Sequence, residues 1–214
     1  MLFILICFLG LANALELLEK EIPKYKKLIK YVHLCFSTDP FMYNQPQISE
    51  LSVKIIGRLN RDKIKCTTLT KGVYPSNMAD DKNNNEYGIT LVSLDENFRQ
   101  EYEPNAAKFG DRIASLRKLH DAGAKTLVSM EPYPTPNIVP QNLDEILNEV
   151  RFVDKIIFGR LNYNIKSSQC LDHREYYNGC SAKVIEFCKK NGIDYHIKAG
   201  TYTTPSPSSS LSAR

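Results

Sequence analysis

The sequence predicts an α/β protein in which parallel strands and crossover helices build a β/α barrel. Two observations lead to this fold class. Short apolar segments alternate with segments whose apolar residues recur every three to four positions, and this alternation is typical of parallel sheets with crossover helices. The apolar segments also end in small polar or charged residues, as strands do at the rim of a barrel, where chemistry takes place.

The elements can be assigned in order along the chain. The first helix is amphipathic but contains Pro23, which must kink or divide it. Gly123 follows the third helix and is a typical C-terminal stop. The predicted helices cover residues 14–30, 48–60, 111–122, 143–150 and 176–191, and the predicted strands cover residues 31–36, 64–69, 87–93, 125–130, 154–158 and 194–197.

Three connecting segments have signals of their own. Residues 76–86 are rich in Asn and Asp, which favours a turn region. A polar loop is expected between the third strand and the helix that begins at residue 111. After the fourth strand, Pro132, Pro134 and Pro136 should exclude both a helix and a central strand and should stiffen an extended loop.

Length and composition indicate one folded domain. The chain has 214 residues, of which 43% are hydrophobic and 24% charged, and this is enough to bury a core. Its formal net charge of +4 permits nucleic-acid binding but does not indicate it. We interpret residues 1–13 as an apolar leader that is either a false start or signal-like. Residues 14–200 form the barrel, and residues 201–214 form a Ser/Pro-rich tail expected to be disordered.

The cysteines do not predict a metal site. Cys35 and Cys66 fall in predicted strands and should be buried thiols. Cys170, Cys180 and Cys188 have spacings that match no compact metal-binding pattern. Buried strand thiols suit a reducing compartment, so we expect a cytoplasmic protein. The apolar leader is too short to span a bilayer comfortably, and no membrane partner is expected.

Glycine patterns distinguish a barrel from a doubly wound open sheet. The chain contains neither G-x-G-x-x-G nor G-x-x-x-x-G-K-[ST], which are the common phosphate-cradling loops. Polar residues are spread over several strand ends, and this distribution fits a barrel rim better than a single glycine-rich switch point. They are Ser37-Thr38-Asp39-Pro40-Phe41, Thr70-Lys71, Ser93-Leu94-Asp95, Glu103-Pro104-Asn105-Ala106 and Arg112.

This ordered series resembles the radical S-adenosylmethionine (radical SAM) superfamily, in the branch similar to spore photoproduct lyase and the DNA repair photolyases. The resemblance covers roughly residues 14–164. It implies a partial parallel β/α barrel with S-adenosylmethionine lying across the carboxyl ends of the strands. In that family a [4Fe-4S] cluster reduces S-adenosylmethionine to a 5'-deoxyadenosyl radical that abstracts hydrogen from the substrate. A nucleic acid or a protein is the candidate substrate here.

The resemblance also implies roles for individual residues. The hydroxyls and carboxylate at the first strand end would contact the methionine amino group, and Ser93 would face the ribose or the carboxylate. Arg112 would pair with the methionine carboxylate or with Glu103. The implied cofactor-binding residues are Ser37, Thr38, Asp39, Thr70, Lys71, Ser93, Glu103, Arg112 and Glu131.

Several of these residues have structural alternatives. Asp39 before Pro40 also suits an Asx-type turn. Glu103 and Arg112 are as compatible with a structural ion pair as with ligand binding. Glu131 could cap the loop that follows the fourth strand.

The family holds its cluster with Cys-x-x-x-Cys-x-x-Cys, a motif that this sequence does not contain. We therefore expect the first barrel strand and its cluster loop to be missing. Three hypotheses follow. The chain is a fragment of a radical SAM lyase-like enzyme, or a cluster-free barrel remnant that binds S-adenosylmethionine or a partner. The third is an exported α/β binding or hydrolytic protein that uses Asp39, Glu103 and Glu131 as paired carboxylates.

Overall fold

Within the residues that the structure describes, six β-strands form one sheet. Neighbouring strands are parallel, and the strands lie in the sheet in the order in which they occur in the chain. The computed structural model describes residues 13–34, 38–80, 84–162 and 164–201. The strands are β1 (Tyr31–Leu34), β2 (Lys65–Thr70), β3 (Glu86–Thr90), β4 (Lys125–Tyr133), β5 (Lys155–Arg160) and β6 (Asp194–Ile197).

Helices connect the strands, and all five predicted helices are confirmed, with ends shifted by at most five residues. The first helix departs most from the prediction: it ends at Tyr25, two residues after Pro23, which lies inside it. The α-helices are α1 (Ala14–Tyr25), α2 (Pro46–Arg61), α3 (Glu96–Tyr102), α4 (Phe109–Asp121), α5 (Leu143–Glu149), α6 (Ile165–Ser168) and α7 (His173–Asn191), with a 3-10 helix at Ser76–Asp80.

The two faces of the sheet differ in burial. Along β1, β2 and β5, every second side chain is buried and the side chains between them are at least partly accessible. A doubly wound sheet would bury both faces, so this alternation places the helices on one face only and leaves a concave inner face. The strands β1 and β6 are the two edges, and the sheet is not closed within the described residues. The predicted partial β/α barrel is therefore confirmed.

The main core lies between the convex face of the sheet and the helices. Strand side chains such as Val128 and Phe158 contribute to it, as do helix side chains such as Ile55, Leu116 and Val184. The burial of one apolar stripe on each helix holds that helix against the sheet and leaves its other side in water. None of the described helices is both long and apolar enough to cross a membrane.

Two loop predictions were wrong. The segment expected to be a polar loop after β3 contains α3, which begins where the Asp95 carboxylate accepts hydrogen bonds from the backbone N–H groups of Asn97 and Phe98. Pro132 was expected to exclude a central strand, yet it lies within the central strand β4. The pairing register of β4 with β5 shifts between Met130 and Tyr133. Proline is tolerated at such an irregularity because the regular hydrogen bonds between the strands are interrupted there, so no backbone N–H is required at that position.

Candidate functional site

A cavity of about 640 Å³ lies on the concave face of the sheet. Its size is within the range of small-molecule sites. The side chains that line it come from the inward positions of β1 to β5 and from the segment after β6. They are His33, Lys65, Thr67, Leu69, Glu86, Lys125, Leu127, Ser129, Glu131, Lys155, Ile157 and Lys198, together with Lys30, Tyr31, Cys66, Thr68 and Asn84 at the margins.

Opposite charges meet at the carboxyl-terminal end of this cavity. Glu131 on β4 forms an ion pair with Lys198, which follows β6. The distance between Lys198 Nζ and Glu131 Oε2 is 3.1 Å. Gly159 on the intervening strand β5 makes room for the carboxylate, since a Cβ at that position would lie 2.8 Å from Glu131 Cδ. The Ser129 hydroxyl faces the same cavity one inward position deeper. The rim therefore presents a carboxylate, an ammonium and a hydroxyl close together.

His33 occupies the inner wall of the cavity on β1. Burial lowers the pKa of its imidazole below the usual value. A hydrogen bond with the backbone of Thr67 and the charge of Glu86 oppose this effect, while the positive charge of Lys198 adds to it. The neutral imidazole is therefore favoured in the folded protein.

Asp39 connects the carboxyl end of β1 to that of β2. One carboxylate oxygen accepts hydrogen bonds from the backbone N–H of Phe41 (2.9 Å) and the hydroxyl of Thr70 (2.5 Å), and the other accepts one from the backbone N–H of Lys71 (2.7 Å). The hydrogen bond from the backbone N–H of Phe41 forms the expected Asx-type turn. Three of about four acceptor positions on the carboxylate are thus used within the chain, and cofactor binding by Asp39 and Thr70 stays a prediction.

Glu103 lies between two cations and is almost fully buried. Its carboxylate is 2.8 Å from Arg112 Nη2 and 2.8 Å from Lys71 Nζ. Arg112 is completely buried and also donates to the carbonyls of Ala107 and Thr90. Burial lowers the pKa of the Arg112 guanidinium, and Glu103 opposes the change. The structural ion pair between Glu103 and Arg112, which was one of the two alternatives, is present. The guanidinium of Arg112 donates its hydrogen bonds to Glu103 and to backbone carbonyls of the chain.

The remaining predicted residues take three different positions. Ser93 is buried, and its hydroxyl accepts a hydrogen bond from the backbone N–H of Asp95 (3.0 Å), which forms a turn that leads into α3. Thr38 is half-buried at the same edge of the sheet as Asp39. Ser37 lies outside the described residues. Of the predicted set, Glu131 is the residue that the structure places in the cavity.

The cysteines that the structure describes are not joined by disulfides. Cys66, Cys180 and Cys188 are buried, and Cys170 is partly exposed. Burial raises the pKa of the Cys188 thiol to about 11 and also raises that of Cys180. No three His, Cys, Asp or Glu side chains are grouped to hold a metal ion within the described part of the chain. These residues therefore do not fit a [4Fe-4S] cluster, which requires thiolate ligands close together.

Lys198 and Gly159 were not predicted from the sequence as site residues, and Lys65, Lys125 and Lys155 were predicted only as strand residues. A signal for them was present. Inward positions of successive strands carry polar residues two apart, as in Ser129 and Glu131, whereas a strand buried on both faces is apolar throughout. The period-two pattern on parallel strands identifies an inner face that contacts solvent or a ligand.

Solved structures share this fold. Spore photoproduct lyase complexed with dinucleoside spore photoproduct aligns with a TM-score of 0.59 and 13% identity, covering 91% of this chain and 67% of that chain. A mutant of spore photoproduct lyase with bound AdoMet and the same dinucleoside aligns with a TM-score of 0.58, 13% identity and the same coverage. Streptococcus suis SuiB bound to S-adenosylmethionine aligns with a TM-score of 0.58 and 14% identity, covering 85% of this chain and 41% of that chain.

No family model and no curated protein sequence matches this chain. The chain spans about two thirds of spore photoproduct lyase and less than half of SuiB. At these identities the likeness establishes the fold, which is the one that the radical SAM resemblance predicted.

Proposed function

We propose that this chain is a radical SAM-type protein whose concave face binds S-adenosylmethionine at the Glu131–Lys198 end of the cavity. The fold likeness to spore photoproduct lyase and to SuiB, both solved with this cofactor bound, supports the general assignment. The ion pair at the carboxyl-terminal end of the barrel is the observation that carries the assignment of the site.

The chemistry of the rim suits the methionine half of the cofactor. An α-amino acid carries an ammonium and a carboxylate on one carbon, and Glu131 and Lys198 present the complementary charges 3.1 Å apart. The sulfonium adds a second positive charge that Glu131 attracts. Ser129 supplies a hydroxyl that can donate or accept a hydrogen bond. The cavity of about 640 Å³ has room for the nucleoside half of the ligand.

The chain's own contribution is to bind and orient the cofactor. When bound, S-adenosylmethionine supplies the radical precursor that this superfamily uses, after reduction by a [4Fe-4S] cluster. Since the described residues provide no cluster ligands, we assign reductive cleavage, and lyase-like chemistry on a nucleic acid or a protein, to the parent enzyme of which this chain represents the barrel. A cytoplasmic location accords with the buried positions of Cys66 and Cys180, neither of which forms a disulfide in the described part of the chain.

The hydrolytic alternative has less support. It requires Asp39, Glu103 and Glu131 to act as paired carboxylates. The carboxylate of Glu103 is held by Arg112 and Lys71, and Asp39 is hydrogen-bonded to the end of β2. Glu131 has a different partner, Lys198. The three carboxylates therefore have separate local roles.

The test is calorimetric titration of S-adenosylmethionine into the full chain prepared without iron. We expect saturable one-to-one binding that Glu131→Gln and Lys198→Met each weaken about tenfold, since each removes a charge-assisted contact. Lys183→Met removes a surface ion pair with Asp144 on the outer helices and should leave the affinity unchanged. Absence of binding by the folded wild-type chain, or equal losses in all three variants, would contradict the proposed site.

A second experiment addresses the parent enzyme. Sequencing the genomic DNA and the transcript upstream of the Met1 codon should reveal an in-frame or singly frameshifted Cys-x-x-x-Cys-x-x-Cys. If the transcript begins at Met1 and no such codons precede it, the cluster-free barrel remnant replaces the enzyme fragment as the better account, and the binding experiment then decides whether the remnant retains the cofactor site.

A further inference from the structure

We propose that the amino-terminal end of the same cavity is a separate site for a small polyanion of the diphosphate class. Four lysines converge there: Lys30 immediately before β1, and Lys65, Lys125 and Lys155. The last three are the first residues of β2, β4 and β5. They therefore lie at the end of the sheet opposite Glu131 and Lys198. This site does not depend on S-adenosylmethionine binding.

These lysines line one concavity without ionic partners among the described residues. Elsewhere on the surface, Lys20 is paired with Glu16 and Lys183 with Asp144. In the part of the chain that the structure describes, none of the four cavity lysines has a carboxylate within salt-bridge distance. Unpaired positive charges that line one concavity reinforce each other's potential and attract an anion.

The charge balance of the cavity favours the same ligand class. Among the described residues, five lysines and two glutamates line the cavity. At the carboxyl-terminal end Lys198 and Glu131 neutralise each other. At the amino-terminal end Glu86 is the single lining carboxylate among the described residues, and it faces the four remaining lysines. A ligand with two or more negative charges would offset this local excess, whereas a neutral ligand would not.

The register of the strands sets the size of the anion. Glu86 is opposite both Thr67 on β2 and Lys125 on β4, and Lys155 on β5 is opposite Leu127, two residues beyond Lys125. Since neighbouring strands are about 4.8 Å apart, the lysines on β2 and β5 are separated laterally by roughly 14 Å. In this register Lys65 also lies four residues from Lys155 along the strand direction, about 13 Å at 3.3 Å per residue. Two linked phosphates therefore reach more of these lysines than a single phosphate does. Lysine is a common point-charge ligand for phosphate.

The test uses inorganic pyrophosphate as the probe and the full chain as the protein. Calorimetric titration at moderate salt should give saturable binding that is tighter than the binding of orthophosphate. The double variant Lys125→Gln, Lys155→Gln should weaken pyrophosphate binding at least tenfold, because each lysine contributes a charge-assisted contact. These side chains reach solvent at the strand starts, so the variant should keep the wild-type circular dichroism spectrum and melting temperature.

The matched control is Lys20→Gln, Lys183→Gln, which removes the same net charge outside the cavity and should leave the pyrophosphate affinity unchanged. Equal weakening in both double variants would show a general charge effect and overturn the site, as would absence of saturable binding by the wild type. Titration of S-adenosylmethionine into the Lys125→Gln, Lys155→Gln variant keeps the two proposals apart: its affinity should be retained. Glu131→Gln, conversely, should not weaken pyrophosphate binding.

Discussion

Arg112 and Glu103 form an almost fully buried ion pair, with 2.8 Å between Arg112 Nη2 and Glu103 Oε2. The two residues join α4 to the segment that follows α3, and Lys71 after β2 extends the contact. A buried guanidinium that loses its counter-charge cannot be rehydrated, so the pair holds these elements in place even if it adds little net stability compared with an apolar substitute.

Removal of the Glu103 charge should be strongly destabilising. Glu103→Gln leaves Arg112 charged and without a carboxylate, and we expect the free energy of unfolding to fall by about 3 kcal/mol. Urea denaturation followed by circular dichroism measures it. Glu101→Gln is the matched control, because Glu101 is exposed and its contact with the exposed Lys166 is long, at 3.9 Å. This variant should have the wild-type urea midpoint. Similar midpoints for the two variants would show that the Glu103 pair is not structural.

Gly159→Ala should change the cavity rim with little effect on the fold. The new Cβ would lie 2.8 Å from the Glu131 side chain, whose flexible carboxylate can move away from Lys198. We expect weaker S-adenosylmethionine binding, by about tenfold, with a melting temperature close to wild type. Gly57→Ala on α2 is the control, since no atom lies within 4 Å of its Cβ position. It should stabilise the helix by about 0.5–1 kcal/mol and leave binding unchanged. Unaltered binding in Gly159→Ala would argue against Glu131 as a ligand contact.

Thiol labelling should separate two cysteines of the carboxyl-terminal region. Cys188 is fully buried, and burial raises the pKa of its thiol to about 11, so the reactive thiolate is on the order of one part in a thousand at pH 8. Cys170 is partly exposed. Brief alkylation of the native protein followed by peptide mass mapping should modify Cys170 first. In guanidinium chloride the two should react at similar rates, and comparable rates in the native protein would show that Cys188 is accessible.

Acid should destabilise the fold partly through His33. Burial lowers the pKa of its imidazole in the folded state, whereas in the unfolded chain the value is about 6.5. As the pH falls through 6.5 the unfolded chain therefore takes up a proton first, and the free energy of unfolding decreases until the pH is below the folded pKa. His33→Gln should lose less stability than the wild type between pH 7 and pH 5 in urea denaturation. Identical losses would show that His33 does not contribute.

Much of the fold followed from local sequence patterns. Apolar periodicity identified all six strands and five helices, and Gly123, with its positive φ of 87°, ended α4 as expected. The two wrong predictions have different causes. Pro132 is tolerated in β4 because the strand pairing is irregular there, and α3 is short and is fixed at its start by Asp95.

The sequence by itself determined the order and type of the elements, and the polar strand ends that give this barrel its resemblance to radical SAM proteins, because both depend on residues close together in the chain. Only the tertiary structure decided which of those polar groups face one another. Asp39 and Glu103 became bonded within the chain, while Glu131 met Lys198 across β5. Side chains far apart in sequence acquire a common environment through the register and curvature of the sheet, and no local pattern encodes either.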